Sequence, residues 1–288
     1  MENRFAIMNK PWVFMYDREL NGREDELLCG WTVKVLEASD HYCRILTHYG
    51  YEGYVETEAL TPVPRASIEG SVNSDTIMVV TSSFVDILSK PKVQGSIQIT
   101  LPRGAFLIKK ASSEDGYLRV ETVDKRYCGY IRTCSVQKRL DSDRYLLDPT
   151  FSFIDQQLPA EEEKIRDMLC STAMGYLGSP YCWGGKTPKG IDCSGLLFMS
   201  YMLSGILIFR NSQNNALYPV KLIPREKLGK ADLIYWVGHV GMYLGNNQYI
   251  HSTGNAADFK CVINSLSPED KNYRSDLAES IIGYGSIY

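Results

Sequence analysis

The sequence lacks the features that mark several classes of protein. It has no Cys-x-x-Cys pair and no His-x-x-x-His pair, and only four of its 288 residues are histidine. A structural zinc site therefore has no ligand set at a recognisable spacing, and we expect neither a metal nor another cofactor. The eight cysteines lack the compact spacing of a disulfide scaffold, so we expect reduced thiols.

Long apolar segments and blocks of one charge are also missing. No window approaches the roughly 18 apolar residues that a transmembrane helix needs, and charged residues interrupt the N-terminal segment. We therefore expect no membrane partner and no signal peptide, which favours a cytoplasmic protein, whereas a trimmed N-terminus would allow export. Because 31 basic residues face 34 acidic ones without basic blocks, we also expect no nucleic-acid partner. The sequence carries no indication of an oligomeric state.

A weak internal repeat lies in the N-terminal half of the chain. Residues 29–57 reappear about 75 positions later, with Gly30 answering to Gly104. The matching motifs are Tyr-x-Arg-Ile at 42–45 with Tyr-x-Arg-Val at 117–120, and Tyr-x-Gly-Tyr-Val at 51–55 with Tyr-x-Gly-Tyr-Ile at 127–131. Short β-rich stretches separated by Ser, Asp and Gly are typical of strands joined by tight turns. We predict two small β-barrels over 1–65 and 66–140, then a linker over 141–157.

The pattern changes to helix after the linker. Pro159 and three glutamates form a first turn, and apolar residues then recur at helical spacing up to Gly175. We therefore predict an α+β domain over 158–288. Within it, Cys193 precedes an apolar run and should lie at a helix start. The macrodipole and unpaired amides there are expected to lower the thiol pKa, which would make Cys193 a nucleophile.

Two histidines are candidates for the base that this thiol needs. His239 begins an alternating, strand-like segment, and a second strand carries His251 beyond a turn. A three-residue loop centred on Asn246 would place His251 opposite Gly241, one diagonal step from His239 on the same face. His239 would then accept the Cys193 proton while His251 orients its ring, the nucleophile, base and orienter arrangement of cysteine peptidases.

These motifs resemble the NlpC-type cysteine peptidases, a bacterial cell-wall family with a papain-like core. Four spaced elements carry the similarity: Tyr-x-Trp-Gly-Gly at 181–185, Asp-Cys-Ser-Gly at 192–195, Gly-His-Val-Gly at 238–241, and the late His251. The resemblance implies Cys193 as nucleophile, His239 as base and His251 as the third, polar member. Gly-x-x-Gly-Tyr-Val at 50–55 is similar to the segment that closes bacterial SH3-like barrels. The implied fold is α+β, a papain-like catalytic domain preceded by two SH3-like β-barrels.

With two SH3-like repeats in front, the chain resembles the three-domain members that cleave the γ-D-glutamyl to diamino-acid bond of murein peptides. The implied substrate is a free murein tripeptide or tetrapeptide, L-Ala-γ-D-Glu-diamino acid, with diaminopimelate and lysine both open. In these members an acid and a tyrosine of the first barrel and the Asp before the nucleophile hold the free amine. Asp192 matches the last position, and Glu26 and Tyr51 are the candidates for the first two by their positions in the barrel pattern. Three more positions match the family's substrate pocket: Trp183, Ser194 and Ser212.

The same residues also have plainer interpretations. Asp192 before a helix is commonly an N-cap. Trp183 and Tyr181 are compatible with core aromatics, Glu26 with a solvated surface residue and Ser212 with an ordinary loop.

Backbone N–H groups at the helix start are placed to stabilise an oxyanion, and the phenol of Tyr181 is a candidate second donor.

Other functions stay open at the level of the sequence. One is an exported peptidoglycan hydrolase whose SH3-like domains bind the intact wall. Another is a papain-like acyltransferase or amidase that acts on a different substrate. A third is a binding module fused to an inactive peptidase core, although the joint presence of Cys193, His239 and His251 argues against it.

Overall fold

The computed structural model describes residues 4–72, 75–112, 115–148 and 150–288, and its contacts divide the chain into two compact units, Met1–Thr150 and Phe151–Tyr288. The predicted linker is shared between them. In the first unit Arg139 binds Asp141 at 2.8 Å, and in the second Gln156 and the backbone of Leu207 exchange two bonds of 2.8 Å. Pro149, also in the predicted linker, lies outside the described residues. The predicted domain boundaries stay predictions.

The first unit contains two antiparallel sheets, and the described part of each has seven strands. The first sheet is built from β1 (Arg4–Met8), β2 (Trp12–Tyr16), β3 (Arg23–Leu28), β4 (Thr32–Ala38), β5 (Tyr42–Thr47), β6 (Glu52–Glu56) and β7 (Leu60–Val63). Its spatial order is β3-β2-β6-β5-β4-β1-β7. Alternating burial along β5 places Cys43, Ile45 and Thr47 inside, as expected for a strand with one buried face.

The second sheet repeats the first. It is built from β8 (Ile77–Val80), β9 (Phe84–Leu88), β10 (Ile97–Pro102), β11 (Phe106–Ser112), β12 (Tyr117–Thr122), β13 (Cys128–Arg132) and β14 (Val136–Lys138). Its order, β10-β9-β13-β12-β11-β8-β14, is that of the first sheet with each label advanced by seven. A register shift in β4–β5 between Val35 and Glu37 recurs in β11–β12 between Lys109 and Ala111. The two SH3-like barrels therefore share strand order and bulge, in agreement with the sequence repeat.

The two barrels meet at repeat-related positions. Cys29 of the first barrel belongs to the apolar core cluster of the second, and its carbonyl accepts the Phe106 N–H at 2.9 Å. Trp31 Nε1 donates to the carbonyl of Gly104 at 2.8 Å. Two short helices complete the described part of this unit, α1 (Arg65–Val72) and α2 (Arg144–Leu147). The two barrels thus form one compact body.

The second unit is α+β. Its described helices are α3 (Glu162–Met174), α4 (Cys193–Met202) and α5 (Ser275–Ala278). A short hairpin of β15 (Lys186–Thr187) and β16 (Gly190–Ile191) precedes α4. The main antiparallel sheet is built from β17 (Lys221–Ile223), β18 (Leu233–Trp236), β19 (His239–Gly245), β20 (Gln248–Ser252), β21 (Cys261–Ser265) and β22 (Gly283–Ser286). Its order is β17-β22-β18-β19-β20-β21.

Helix α4 is the central element of this unit. All of its residues are buried, and it packs against α3 on one side and against β19 and β20 on another. A helix that is apolar all round needs such complete cover. The first residue of α4 is consequently carried to the middle of the sheet. No helix in the described ranges is long and apolar enough to cross a bilayer.

Candidate active site

Cys193 begins α4 and lies beside β19. Its side chain is buried, and the backbone N–H of Val240 donates to its sulfur. Val240 directly follows His239, so the thiol and that imidazole belong to adjacent positions of the packed helix and strand. The sequence motifs at 192–195 and 238–241 are therefore brought together by the packing of α4 on β19.

His239 and His251 face each other across the hairpin of β19 and β20. Their ring nitrogens, Nε2 of His239 and Nδ1 of His251, lie 2.7 Å apart. A Cβ on Gly241 would lie 3.3 Å from the Cβ of His251, so these residues oppose each other as the sequence pattern predicts. The two predicted base and orienter side chains form a direct hydrogen bond.

The turn that sets this register differs from the predicted one. Instead of a three-residue loop, the chain makes a two-residue turn at Asn246 and Asn247, both with positive φ, because Gly245 pairs with Gln248. A register shift between Tyr243 and Gly245 adds the extra residue on β19. Asparagine tolerates the left-handed region better than most residues, which suits it to such a turn. The bulge and the shorter turn together give the same register as the predicted loop.

His251 has a further partner that the sequence did not indicate. Its Nε2 lies 2.8 Å from Oδ1 of Asn264 on β21, and Asn264 Nδ2 donates to the carbonyl of Asn272 at 2.9 Å. Strand pairing explains the contact, because His251 pairs with Val262 and Asn264 lies two residues further on the same face. The only available signal in the sequence was a polar residue inside an otherwise strand-like segment.

Burial controls the ionisation of this cluster. It raises the pKa of the Cys193 thiol to about 12, and the Asp192 carboxylate acts in the same direction. It also lowers the pKa of His239 to about 3, with His251 adding to the effect. For His251, burial lowers the pKa to about 4. The expected lowering of the thiol pKa at the helix start is therefore wrong, because desolvation outweighs the amide bonds to sulfur. Burial therefore disfavours the charged forms of both the thiol and the imidazole.

A second polar cluster holds the start of α4. Asp192 is the N-cap and accepts the Gly195 N–H at 2.6 Å. Arg210 donates to both carboxylate oxygens, at 3.1 and 3.0 Å, while the Gly184 N–H and the Ser194 hydroxyl donate at 2.8 and 3.3 Å. We refer to these five residues as the Asp192–Arg210 cluster.

The Asp192 carboxylate is saturated by these bonds. A carboxylate offers about four lone-pair sites, and five donors already converge on this one. Asp192 therefore performs the N-cap role that its position suggested. Binding a substrate ammonium at the same carboxylate would require one of the present donors to be exchanged, which argues against its predicted part in amine recognition.

Tyr181 and Trp183 lie in the segment before the β15–β16 hairpin. Burial raises the pKa of Tyr181, and the Asp192 carboxylate acts in the same direction, so the phenol keeps its proton. Trp183 is 65% exposed, and its interpretation as a core aromatic is wrong. Its side chain lies at the protein surface, in the segment before the β15–β16 hairpin.

Ser194 and Ser212 have different surroundings. Ser194 is buried, accepts a bond of 2.8 Å from Arg210, and lines a small cavity together with Val240. Four residues with amide side chains, in the loop that follows Arg210, also line that cavity: Asn211, Gln213, Asn214 and Asn215. Ser212 is half-buried at a bend of the same loop and is not among the lining residues. Its predicted place in a substrate pocket stays a prediction.

Glu26 and Tyr51 belong to the first unit. Glu26 lies on β3 and is 3% exposed, so its interpretation as a solvated surface residue is wrong. Tyr51 lies just before β6, and its hydroxyl donates to the Glu24 carboxylate at 3.2 Å. Their predicted role in holding the substrate amine stays a prediction. Within the described residues, no group of three or more His, Cys, Asp and Glu side chains is placed to hold a metal ion.

Comparisons with known proteins show the family to which the chain is similar. The NlpC/P60 family model matches residues 178–273, which include Cys193, His239, His251 and Asn264. Dipeptidyl-peptidase 6 of Lysinibacillus sphaericus is 32% identical over 274 residues, covering 92% of this chain and 92% of that protein. A γ-D-glutamyl-L-lysine dipeptidyl-peptidase of Bacillus cereus is 38% identical over 248 residues, covering 81% of this chain and 68% of that protein.

Solved structures extend the likeness to the whole fold. The crystal structure of an NlpC/P60 family protein from Bacillus cereus has a TM-score of 0.73 and covers 97% of this chain and 98% of that one. At 20% identity this match concerns the fold. Because a relative above 30% identity spans nearly the full length of both chains, the protein belongs to the NlpC/P60 family and is a cysteine peptidase with a papain-like catalytic unit behind two SH3-like barrels.

Proposed function

We propose that the protein hydrolyses the γ-D-glutamyl to L-diamino acid bond of free murein peptides that begin with L-Ala. The observation that carries the proposal is the 38% identity, over 248 residues, with a γ-D-glutamyl-L-lysine dipeptidyl-peptidase. The name of that relative specifies both the bond and the release of an N-terminal dipeptide. The corresponding products here are L-Ala-D-Glu and the diamino acid, free or with its remaining residues.

In this proposal Cys193, His239 and His251 form the catalytic triad. The Cys193 sulfur attacks the γ-carbonyl carbon of D-Glu while its proton passes to the His239 nitrogen that does not face His251. His239 then protonates the departing amine of the diamino acid, and the C–N bond breaks to leave a thioester. A water molecule, deprotonated by His239, attacks the thioester and releases the dipeptide, with the proton returning to the sulfur.

The neutral resting state determines how the first step proceeds. With the thiol pKa raised and the imidazole pKa lowered, a preformed thiolate–imidazolium pair is scarcely populated. We therefore expect proton transfer to accompany the attack on the carbonyl. A neutral imidazole is also the form that can act as a general base.

The developing oxyanion requires hydrogen-bond donors. The backbone N–H of Cys193 lies at the start of α4, where helix amides have no intrahelical partner. The Tyr181 phenol, whose pKa is raised by burial, stays protonated and can donate beside the thiol. Removing one such donor typically lowers kcat by about 10²–10³-fold.

Recognition of the free amine is the finer part of the proposal. We assign it to Glu26 and Tyr51, with Asp192 acting mainly on the loop and helix start. A buried carboxylate that accepts a hydrogen bond from an ammonium favours the free amine, because a blocked amine carries no positive charge. Glu26 is buried in this way.

The test uses matched peptides. L-Ala-γ-D-Glu-L-Lys, the diaminopimelate analogue and the N-acetylated form of each would be incubated with the protein and with Cys193→Ala, and the products identified by mass spectrometry. We expect cleavage of the free-amine peptides only, and none by the variant. Equal cleavage of free and acetylated peptides would overturn the amine requirement and favour a wall hydrolase. Transfer of the dipeptide to an added amine without hydrolysis would favour an acyltransferase.

A further inference from the structure

We propose that Asn264 is a positioning residue that selects the tautomer of His251 and, through it, the tautomer of His239. The assignment rests on the proposed roles of Cys193 and His239. It adds to the triad a neutral amide that the family comparison does not assign, and it predicts which nitrogen of each ring carries the proton.

The orientation of the Asn264 amide is fixed by its second partner. Nδ2 lies 2.9 Å from the backbone carbonyl of Asn272, and a carbonyl oxygen can only accept. The NH2 end of the amide must therefore face Asn272, and the oxygen end must face His251. Exchanging the two ends would place two acceptors against each other and leave a buried donor opposite the ring.

This orientation determines the state of both rings. Asn264 Oδ1 accepts at 2.8 Å from His251 Nε2, so Nε2 carries the hydrogen and Nδ1 of the neutral ring has a lone pair. That lone pair faces His239 Nε2 at 2.7 Å, so His239 Nε2 carries the hydrogen. His239 Nδ1 is then the unprotonated nitrogen, the atom that accepts the thiol proton in the proposed reaction.

The surroundings of Asn264 hold the amide in place. Asn264 is 7% exposed and His251 0%, so water has little access to replace the amide. Asn272 is itself fixed, because its Nδ2 donates to Gln248 Oε1 at 2.9 Å and to the Ile263 carbonyl at 3.1 Å. The hydrogen bonds from His239 to His251 and from His251 to Asn264 therefore have a fixed donor and acceptor order, and the Asn272 carbonyl holds the end of the chain.

The chain is electrically neutral, which distinguishes it from a triad that ends in a carboxylate. The charged groups that act on His251 are Arg274, Asp258 and Asp276, and those that act on His239 are His251 when protonated and Arg274. A carboxylate at position 264 would keep an acceptor facing His251 and add a negative charge there. Asn264→Asp therefore tests the added charge, and because its second oxygen faces the Asn272 carbonyl it also removes the bond that Asn264 Nδ2 donates there.

The first test measures tautomers directly and needs no substrate. The protein has four histidines, so long-range ¹H–¹⁵N spectra can be assigned with single His→Gln variants. We expect both His239 and His251 to carry hydrogen on Nε2 at neutral pH, and Asn264→Leu to shift His251 toward the Nδ1–H form. Observation of Nδ1–H on His251 in the unmodified protein would overturn the proposal, whatever the substrate proves to be.

The second test separates positioning from simple structural support. For Asn264→Leu we expect kcat to fall about 10–100-fold and KM to change less than about twofold. Here kcat is calculated per molecule whose Cys193 can be alkylated, which corrects for misfolded protein. Asn264→Asp should recover most of kcat and move the acid limb of the kcat profile to higher pH, because the added charge favours the protonated imidazoles. A loss shared equally by both variants, with an unmoved acid limb, would assign Asn264 a structural role only.

Asn272→Ala serves as the matched control. It removes the side-chain bonds to Gln248 and Ile263 but keeps the backbone carbonyl that orients the Asn264 amide. We expect it to lower the melting temperature while the acid limb stays in place. If the peptides of the proposed function are not cleaved, the rate of Cys193 alkylation by iodoacetamide replaces kcat, and an unchanged rate in Asn264→Leu would count against the proposal.

Discussion

Two polar clusters flank Cys193 and solve the problem of burial in opposite ways. In the Asp192–Arg210 cluster the Asp192 carboxylate and the Arg210 guanidinium form an ion pair, and the carboxylate accepts hydrogen bonds from five donors. In the chain of His239, His251 and Asn264 every member is neutral at neutral pH, since burial lowers the pKa of both imidazoles. Ionic bonds hold a loop and a helix start that must not move, whereas neutral groups lie where a proton has to be exchanged.

The largest effect is expected from His239→Ala, and it should concern catalysis more than stability. Removing the base should lower kcat by about 10²–10⁴-fold. The unfolding free energy should fall by about 1–3 kcal/mol, because the neutral ring leaves no unpaired charge but His251 Nδ1 loses its hydrogen-bond partner. Steady-state kinetics and urea unfolding on the same samples would measure both quantities. A severe loss of stability with a normal kcat per folded molecule would contradict the proposed difference between the neutral histidine chain and the Asp192–Arg210 cluster.

Arg210→Met should have the opposite profile. Arg210 is 2% exposed and forms the ion pair with Asp192, so its removal leaves a buried carboxylate without its counter-charge. Breaking a buried pair in this way costs about 3–5 kcal/mol. Urea unfolding followed by circular dichroism would measure the loss. Arg225→Met, at an exposed position of the same unit, is the control and should stay within about 0.5 kcal/mol. Equal effects of the two variants would remove the distinction.

The neutral chain should make stability depend on pH. The folded pKa values of His239 and His251, about 3 and about 4, lie below the ordinary value of 6.5. Between pH 4 and pH 6.5 the unfolded chain therefore binds more protons than the folded chain. The two rings consequently do not lower the unfolding free energy above pH 6.5, and they lower it increasingly as the pH decreases toward 4. The slope is at most about 1.4 kcal/mol per pH unit for each ring.

Urea unfolding at a series of pH values, compared with the double variant His239→Gln and His251→Gln, would test this dependence. We expect the slope between pH 6.5 and 4.5 to be much smaller in the double variant. The same slope in both proteins would show that other groups are responsible.

The thiol should respond to pH in a simple way. Because its pKa is raised to about 12, the thiolate fraction should increase about tenfold per pH unit from pH 6 to pH 9, without a plateau. Alkylation by iodoacetamide, followed at Cys193 by peptide mapping, would record this. Cys193→Ala gives the background from the exposed Cys128 and Cys134. A plateau near pH 5 would indicate a preformed ion pair and contradict the neutral resting state.

The smallest effect is expected at Trp183, which belongs to neither cluster. Trp183→Ala should change the unfolding free energy by less than about 0.5 kcal/mol, because the side chain is 65% exposed. If the indole contacts substrate as predicted, KM should increase a few-fold while kcat stays within about twofold. Unchanged KM would remove Trp183 from the substrate site and leave both clusters as they are.

Local patterns allowed part of the site to be predicted. The start of α4 at Cys193 follows from an N-cap residue before an apolar run, and the pairing of His239 with His251 follows from alternation in two strands around a turn. Even so, the predicted turn was wrong in detail while its register was right. A shorter turn and a bulge compensate for each other, and the sum of the two is what the alternation specifies.

Long-range contacts explain what the sequence did not predict. Arg210 is 18 positions from Asp192 in the sequence, and Asn264 is 13 positions from His251. The periodicity of a single helix or strand does not predict contacts between residues that lie in different elements. Burial is similarly non-local. Glu26 lies in a charged run and is nevertheless buried, and the pKa of Cys193 follows its desolvation instead of its place at a helix start.

The contact between the two barrels sets a limit on how the N-terminal half can be shortened. A chain starting after β7 would lose Cys29 from the core of the second barrel and the carbonyl that accepts the Phe106 N–H. A chain ending before β8 would leave Trp31 without the Gly104 carbonyl. The pair of barrels is therefore the smallest piece of this half that keeps the shared core cluster and both hydrogen bonds intact.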